Sequence, residues 1–272
     1  MDPKLESRRP SPPARIVVAT VVLSVAAASL ALGSISAPPA NASTDRVALP
    51  KKIVIGYSAK GKRIVATRAG NPNADAVLLV IGQMHGDEPK GRAVVRAIRK
   101  TKIPATANFQ IWTVSTMNPD GAQKFTRANA RRVDLNRNFP VQWKRSAKGL
   151  YYSGKRPNSE KETRAMMAFI SRLNPDGIVS FLQHANTVFS VCNAKNRPWV
   201  LRTGELMKLP VDLAVDCKKD DKTYSGTMND WFSSKFNGWF ATVEQPASRK
   251  VTNVKIQRYA RSSIQLAREQ AR

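Results

Sequence analysis

Histidine is scarce in this chain: His85 and His184 are the only two among 272 residues. Cysteine is as sparse, with Cys192 and Cys217 alone. Neither thiol has the neighbours of a metal site, which excludes cysteine-rich structural zinc clusters. At most the two close one disulfide over a loop of some 25 residues, contributing about 3 kcal/mol in an oxidising compartment. Two buried free thiols are the other reading. Acidic residues are short too, 19 Asp and Glu against 45 Lys and Arg, a net charge of +26. Such an excess suits polyanions: nucleic acid, anionic lipid, or the anionic polymers of a bacterial cell wall. RNP, zinc-finger and helix-turn-helix patterns are absent, so no specific nucleic-acid module is expected. A charged soluble surface without a specific ligand is the plainer alternative.

A long run made almost wholly of aliphatic and small residues occurs at one place. Met1 to Arg15 is polar and basic, Ile16 to Leu32 carries no charge, and Gly33 to Ala42 is small and ends Ala40-Asn41-Ala42. That order is the order of a secretory signal, with cleavage expected after Ala42. An uncleaved membrane anchor is the competing reading, because the apolar run is long for a signal. Ser7-Arg8-Arg9 has the look of a twin-arginine signal, but Pro10 does not fit. Residues 1–42 are therefore read as signal and 43–272 as one catalytic domain, secreted or wall-associated. Without the signal, 41 basic residues face 17 acidic ones, a net +24. Too few residues separate Ala42 from the first strand for a large propeptide. A monomer is expected.

The remaining chain alternates strand and helix signals, with no internal repeat. Ile53–Tyr57 and Arg63–Thr67 read as a hairpin around Ala59-Lys60-Gly61-Lys62. Ala76–Ile81 and Phe109–Val114 read as buried strands, and Val94, Val95 and Ile98 as the inner face of a helix beginning near Pro89. Met117-Asn118-Pro119-Asp120-Gly121 is a turn signal. The stretch from Arg127 to Pro140 looks too polar for core and too long for a plain connection, which points to function. Ser159-Glu160-Lys161-Glu162 reads as a capping box opening a helix through Leu173. Ile178–Leu182 is a strand ending at His184, Pro198–Met207 a helix, and Phe240–Val243 a last strand ending at Glu244. Apart from the Pro198–Met207 helix, residues 193–237 read as loop. Val254, Ile256, Tyr259, Ile264 and Leu266 are the core candidates of a basic C-terminal helix. The expected fold class is α/β: a single domain with a mixed, mostly parallel sheet flanked by helices.

Both histidines stand where an apolar strand gives way to polar sequence, and Glu88 follows His85 by three residues. Two imidazoles and one carboxylate, with a fourth position left to water, form a catalytic zinc set. Zinc lowers the pKa of that water and polarises a carbonyl. A carboxylate at another strand end must take the proton, and Glu244 is placed to do so. The plainer readings are a surface turn at His85-Gly86-Asp87-Glu88 and a surface glutamate at 244.

With those pieces in order, the sequence resembles the zinc metallocarboxypeptidases of the carboxypeptidase A type. The likeness rests on His85-Gly86-Asp87-Glu88, Asn118-Pro119-Asp120-Gly121, Arg127-Ala128-Asn129 and Val133-Asp134-Leu135-Asn136-Arg137-Asn138-Phe139. It continues through Tyr152-Ser153-Gly154, Ser159-Glu160 with Glu162-Thr163, His184, Asp230-Trp231 and Thr242-Val243-Glu244, spanning roughly residues 53–246. The resemblance implies one Zn2+ held by His85, Glu88 and His184, and Glu244 as general base and acid. It implies Arg127 as the group that polarises the scissile carbonyl, and Asn136 and Arg137 as holders of a substrate carboxylate. A planar guanidinium suits both arginine roles.

Departures from the family pattern are local. Arg132 stands where many relatives carry Gly before the Val-Asp-Leu-Asn-Arg run. The family's mobile tyrosine falls at Lys222, with Tyr224 nearby as a substitute. Asn229 falls where side-chain selectivity is commonly set, and its polarity argues against a purely apolar pocket. The domain is short, like the compact bacterial branch that includes murein peptide amidases. The expected activity is therefore hydrolysis of a peptide or isopeptide bond next to a free carboxylate, with a peptide or muropeptide as substrate, including the γ-D-glutamyl-diaminopimelate bond. Alternatives are a general carboxypeptidase, a zinc amidoacylase, or a non-catalytic basic protein binding an anionic cell-wall polymer.

Overall fold

A computed structural model describes residues 49–213, 225–247 and 250–272, all within one compact unit, 46–272. The expected signal or anchor in residues 1–42 lies outside the described residues, as do Cys217 and Tyr224. Among the described residues no helix is long and apolar enough to cross a membrane.

Strands β1 (Lys52–Tyr57) and β2 (Arg63–Gly70) form the expected antiparallel hairpin. Strands β3 (Ala76–Ile81), β4 (Phe109–Val114) and β5 (Gly177–Gln183) are buried at every residue, as strands covered on both faces must be. With β6 (Thr187–Phe189) and β7 (Trp239–Gln245) they build a sheet of order β1-β2-β4-β3-β5-β7-β6. The central four, β4, β3, β5 and β7, are parallel; β1, β2 and β6 add antiparallel edges.

Six α-helices flank the sheet among the described residues: α1 (Lys90–Lys100), α2 (Pro119–Lys124), α3 (Lys161–Leu173), α4 (Asn196–Met207), α5 (Met228–Lys235) and α6 (Asn253–Glu269). Alternation along β3 divides the core. Leu78 and Val80 pack with residues of α1, α4 and α6; Val77, Leu79 and Ile81 pack with α3 and α5. Such two-sided cover is the physical reason for a parallel centre. From β3 the chain passes to β4 on one side and later to β5 on the other. Loops leaving the carboxyl ends therefore diverge and open a crevice.

Several expectations need correction. The polar stretch 127–140 is not outside the core: Asn129, Asp134, Leu135, Asn138 and Phe139 are buried in it. Its polar side chains bond one another and the backbone, which removes the desolvation penalty that the sequence seemed to forbid. Asn138, for instance, donates to the Ser153 carbonyl (2.8 Å) and accepts from the Glu160 N–H (3.1 Å). The capping box does not form. Helix α3 has Glu160 as its N-cap with no side-chain cap bond, because Glu162 turns away to accept from the Ala59 N–H at 2.8 Å and from Asn129 at 3.3 Å. Asn118–Gly121 is the start of α2, with the Asn118 side chain capping the Gly121 N–H. Residues 208–237 hold α5, and β6 was likewise not expected. Val254 is 66% exposed and not core, whereas Ile256, Tyr259, Ile264 and Leu266 are buried.

Candidate active site

All the divergent loops meet at the carboxyl ends of the parallel strands. His85 and Glu88 follow β3, Asn118 follows β4, His184 follows β5, and Glu244 lies one residue inside the end of β7. One cleft there, with a cavity of about 290 Å³, is lined by His85, Arg127, Asn136, Arg137, His184 and Glu244, together with Tyr151, Asn229 and Asp230. Glu88 is buried beside His85. The structure thus brings His85, Arg127, Asn136, Arg137, His184 and Glu244 to one cleft, with Glu88 against His85; Tyr224 lies outside the described residues.

The β3 side is tightly built. His85 Nδ1 lies 2.8 Å from Glu88 Oε1, and its Nε2 lies 3.0 Å from Asp134 Oδ1. Glu88 Oε2 accepts from the Gln183 N–H at 3.1 Å, joining the β3 loop to β5. Asp134, 0% exposed, receives Arg127 Nε on Oδ2 at 2.9 Å. Arg127 also reaches Glu88 Oε1, through Nη1 at 3.4 Å. Gly86 makes the loop possible: a Cβ there would sit 2.0 Å from the Gly121 carbonyl carbon. Arg132 has a φ of 61°, so the position where relatives carry Gly does take the left-handed conformation.

Electrostatics follow from these contacts. Burial disfavours the His85 cation, but Asp134 and Glu88 on its two nitrogens raise its pKa to about 9. Burial likewise opposes the Asp134 charge, yet His85, Arg127 and Arg137 hold that carboxyl well below the usual range. Glu244 is pushed up to about 7, by burial first and by the Glu88 charge second. A carboxyl in that position exchanges a proton readily near neutral pH.

The β5 side is looser. His184 is exposed at the cleft edge, and among the described residues no group of three His, Cys, Asp or Glu side chains is arranged to hold a metal as it stands. The donor chemistry nonetheless fits zinc. His85 Nδ1 and Glu88 Oε1 already converge, His85 is oriented through its second nitrogen in the manner of metal-bound imidazoles, and His184 lines the same cleft.

Asn136 accepts from the Met228 N–H at 3.1 Å, tying the loop to α5, and Arg137 donates to the Asn136 carbonyl at 2.8 Å. The Tyr151 ring lies 5.1 Å from the Arg127 guanidinium carbon and 5.4 Å from that of Arg137. Sequence reasoning gave neither Tyr151 nor Asp134 a role. For Asp134 a signal existed: an acid between Val133 and Leu135, both buried, needs partners. Cys192 is in a disulfide, and no cysteine among the described residues is free.

The family described as zinc carboxypeptidase, Peptidase_M14, matches residues 41–264. The chain belongs to it. This zinc carboxypeptidase family member is a metallopeptidase-type hydrolase, and its sheet is the family's. Murein peptide amidase A of Escherichia coli (strain K12) is 30% identical over 141 residues, 47% of this chain. The match spans 57% of that relative's length. Among solved structures, the murein-tripeptide amidase of Escherichia coli O157 superposes with a TM-score of 0.64 at 24% identity, covering 84% of this chain and 96% of that one. Carboxypeptidase A of Helicoverpa armigera gives 0.67 at 15% identity, covering 81% and 68%. At those identities the two structures share the fold.

Proposed function

We propose that this chain is an exported zinc-dependent peptidase that hydrolyses a peptide or isopeptide bond next to a free carboxylate. Its substrates would be cell-wall peptides, with the γ-D-glutamyl-diaminopimelate bond as the target. One observation carries the reading: His85 and Glu88 meet at 2.8 Å in the cleft whose walls hold Glu244, Arg127 and Arg137. The likeness to murein peptide amidases supports the substrate class. Residues 1–42 would direct export and 43–272 would act as a monomer.

His85, Glu88 and His184 would hold the metal. When bound, zinc supplies Lewis acidity to the scissile carbonyl and to water. Glu244, poised at about 7, takes a proton from the attacking water and returns it to the leaving amine. Arg127, braced by Asp134, faces the charge that develops on the carbonyl oxygen; such preorganised donors supply several kcal/mol, roughly 3 or more. Arg137 and Asn136 bind the free carboxylate, the arginine in the two-pronged manner that a guanidinium allows. Outside the cleft, α1 carries Lys90, Arg92, Arg96, Arg99 and Lys100 with no acid, and α6 carries four basic residues with Glu269 as its one acid. These adjoining helices would meet an anionic wall polymer, with binding that weakens steeply with salt.

The test is turnover by the zinc-loaded mature chain on L-Ala-γ-D-Glu-diaminopimelate beside ordinary peptides with free or blocked carboxyl ends. Cleavage of the muropeptide, lost on chelation and restored by zinc, is expected. Cleavage of free peptides alone makes the enzyme a general carboxypeptidase. Inertness toward both with zinc bound overturns the reading.

A further inference from the structure

Tyr151 lines the cleft with more than half of its surface exposed. An aromatic ring so placed gains little from burial, and its position needs another cause. The ring stands beside two cations at once, 5.1 Å from the Arg127 guanidinium carbon and 5.4 Å from that of Arg137. Both distances fall within the roughly 6 Å over which the negative face of a ring attracts a cation. Two guanidiniums brought together repel, and each must still offer its N–H groups to an oxygen of the substrate. A carboxylate between them would consume those donors. A ring face offsets the repulsion and leaves the donors free.

The loop around Tyr151 fixes the ring. Its carbonyl accepts from the Ser146 hydroxyl at 3.0 Å, and Ser146 Oγ in turn accepts from the Ser153 N–H at 2.8 Å. The Tyr152 N–H donates to the Gly149 carbonyl at 3.2 Å, and the Tyr152 carbonyl accepts from the Asp134 N–H at 2.8 Å. Asp134 also holds Arg127, so ring and guanidinium are registered against one residue. This loop is distinct from the stretch around Lys222 where the family's mobile tyrosine falls.

We propose that Tyr151 is a positioning residue whose ring holds Arg137 beside Arg127 and thereby shapes the pocket for the substrate's free carboxylate. The proposal rests on the reading of the cleft as a site for peptides with such a carboxylate. Arg127 is already hydrogen-bonded to Asp134 and Glu88, so removal of the ring is felt mainly at Arg137. The ring acts, not the hydroxyl. Tyr151→Phe therefore keeps the function, and Tyr151→Leu, with bulk but no π-face, loses it.

The experiment is calorimetric binding to the full zinc-loaded chain carrying Glu244→Gln, alone and with Tyr151→Phe or Tyr151→Leu added. The probes are L-Ala-γ-D-Glu-diaminopimelate and acetyl-Ala-Ala-Phe, each with the carboxylate next to the target amide either free or converted to a carboxamide. The amide-to-acid ratio of dissociation constants, taken on the tighter-bound pair, isolates the carboxylate contact. Tyr151→Leu should lower that ratio about fivefold, and Tyr151→Phe should hold it within about twofold. A ratio unmoved by Tyr151→Leu overturns the proposal, and that is also what a merely structural role gives, since acid and amide would weaken alike. An equal loss in Tyr151→Phe overturns it too. A parent chain that binds neither probe, or shows no preference for the free acid, removes the carboxylate reading and the proposal together; a preference that survives Tyr151→Leu removes the proposal alone. With Glu244 intact, Tyr151→Leu should raise KM about fivefold and leave kcat within about twofold. A fall in kcat at unchanged KM contradicts the assignment to Arg137.

Discussion

The two histidines end neighbouring strands, yet their surroundings are opposite. His85 is 1% exposed with a carboxylate on each ring nitrogen, while His184 is exposed at the rim. One half of the site is thus built into the fold and held by Asp134, Arg127 and the Gln183 backbone; the other half stands ready at the end of β5. The lesson is a division of labour. On the proposed reading the β3 side would contribute to stability as well as to chemistry, whereas the β5 side could be altered with little effect on the fold.

The sharpest way to break this contrast is Asp134→Ala. It strips one buried partner from both His85 and Arg127, and a loss of about 3–5 kcal/mol in denaturant unfolding of the metal-free chain is expected. His184→Ala in the same assay should stay within about 0.5 kcal/mol. Comparable losses for the two would end the comparison. Zinc reverses the ranking of the rim residue. Wild-type chain at a hundredfold excess of zinc over its dissociation constant should gain about 2.7 kcal/mol, read as a rise in Tm, and His184→Ala should lose most of that gain. The milder Asp134→Asn keeps the shape and weakens the orientation of His85, lowering zinc affinity about 10–100-fold in a competition titration. An affinity unchanged by Asp134→Asn would mean that His85 needs no orienting partner.

Smaller effects refine the picture. Arg137→Ala should raise KM while leaving kcat nearly untouched, because carboxylate binding is shared by ground and transition states; an unchanged KM would remove Arg137 from that role. Smallest is Arg132→Gly, which relieves a left-handed arginine and should stabilise by about 0.5–1 kcal/mol. A loss of stability there would mean that the Arg132 side chain matters more than its backbone.

How much of this was legible in the sequence depended on where the information sits. Strands β3 and β4 were readable to the residue, since burial on both faces demands long apolar runs bounded by turn residues. Of the candidate site residues, His85, His184 and Glu244 could be picked out because each stands where a strand gives way to polar sequence; Arg127, Asn136 and Arg137 lie between α2 and α3 and were singled out only through the family resemblance. What escaped notice was whatever depends on partners distant in the chain. Asp134 acquires its meaning from His85, 49 residues away; Asn229 was singled out by position, but the hydrogen bond it accepts from Ser190, 39 residues away, was not. The capping box failed for the same reason: Ala59 and Asn129 compete for Glu162 more effectively than its own helix does. Polarity between Arg127 and Pro140 was a poor guide to exposure, because buried polar groups that satisfy one another look from the sequence like solvated ones.

Glu244, on β7 in the same cleft as His85, is the proposed proton carrier and the most direct place to test the proposal. The measurement is the steady-state rate of zinc-loaded Glu244→Gln on the substrate the wild-type chain cleaves, with bound zinc quantified in the same samples. One zinc per chain with a rate reduced by about a thousandfold or more is the predicted result, at the upper end of what general acid–base catalysis supplies. A Glu244→Gln enzyme that retains zinc and still turns over at the wild-type rate would contradict it.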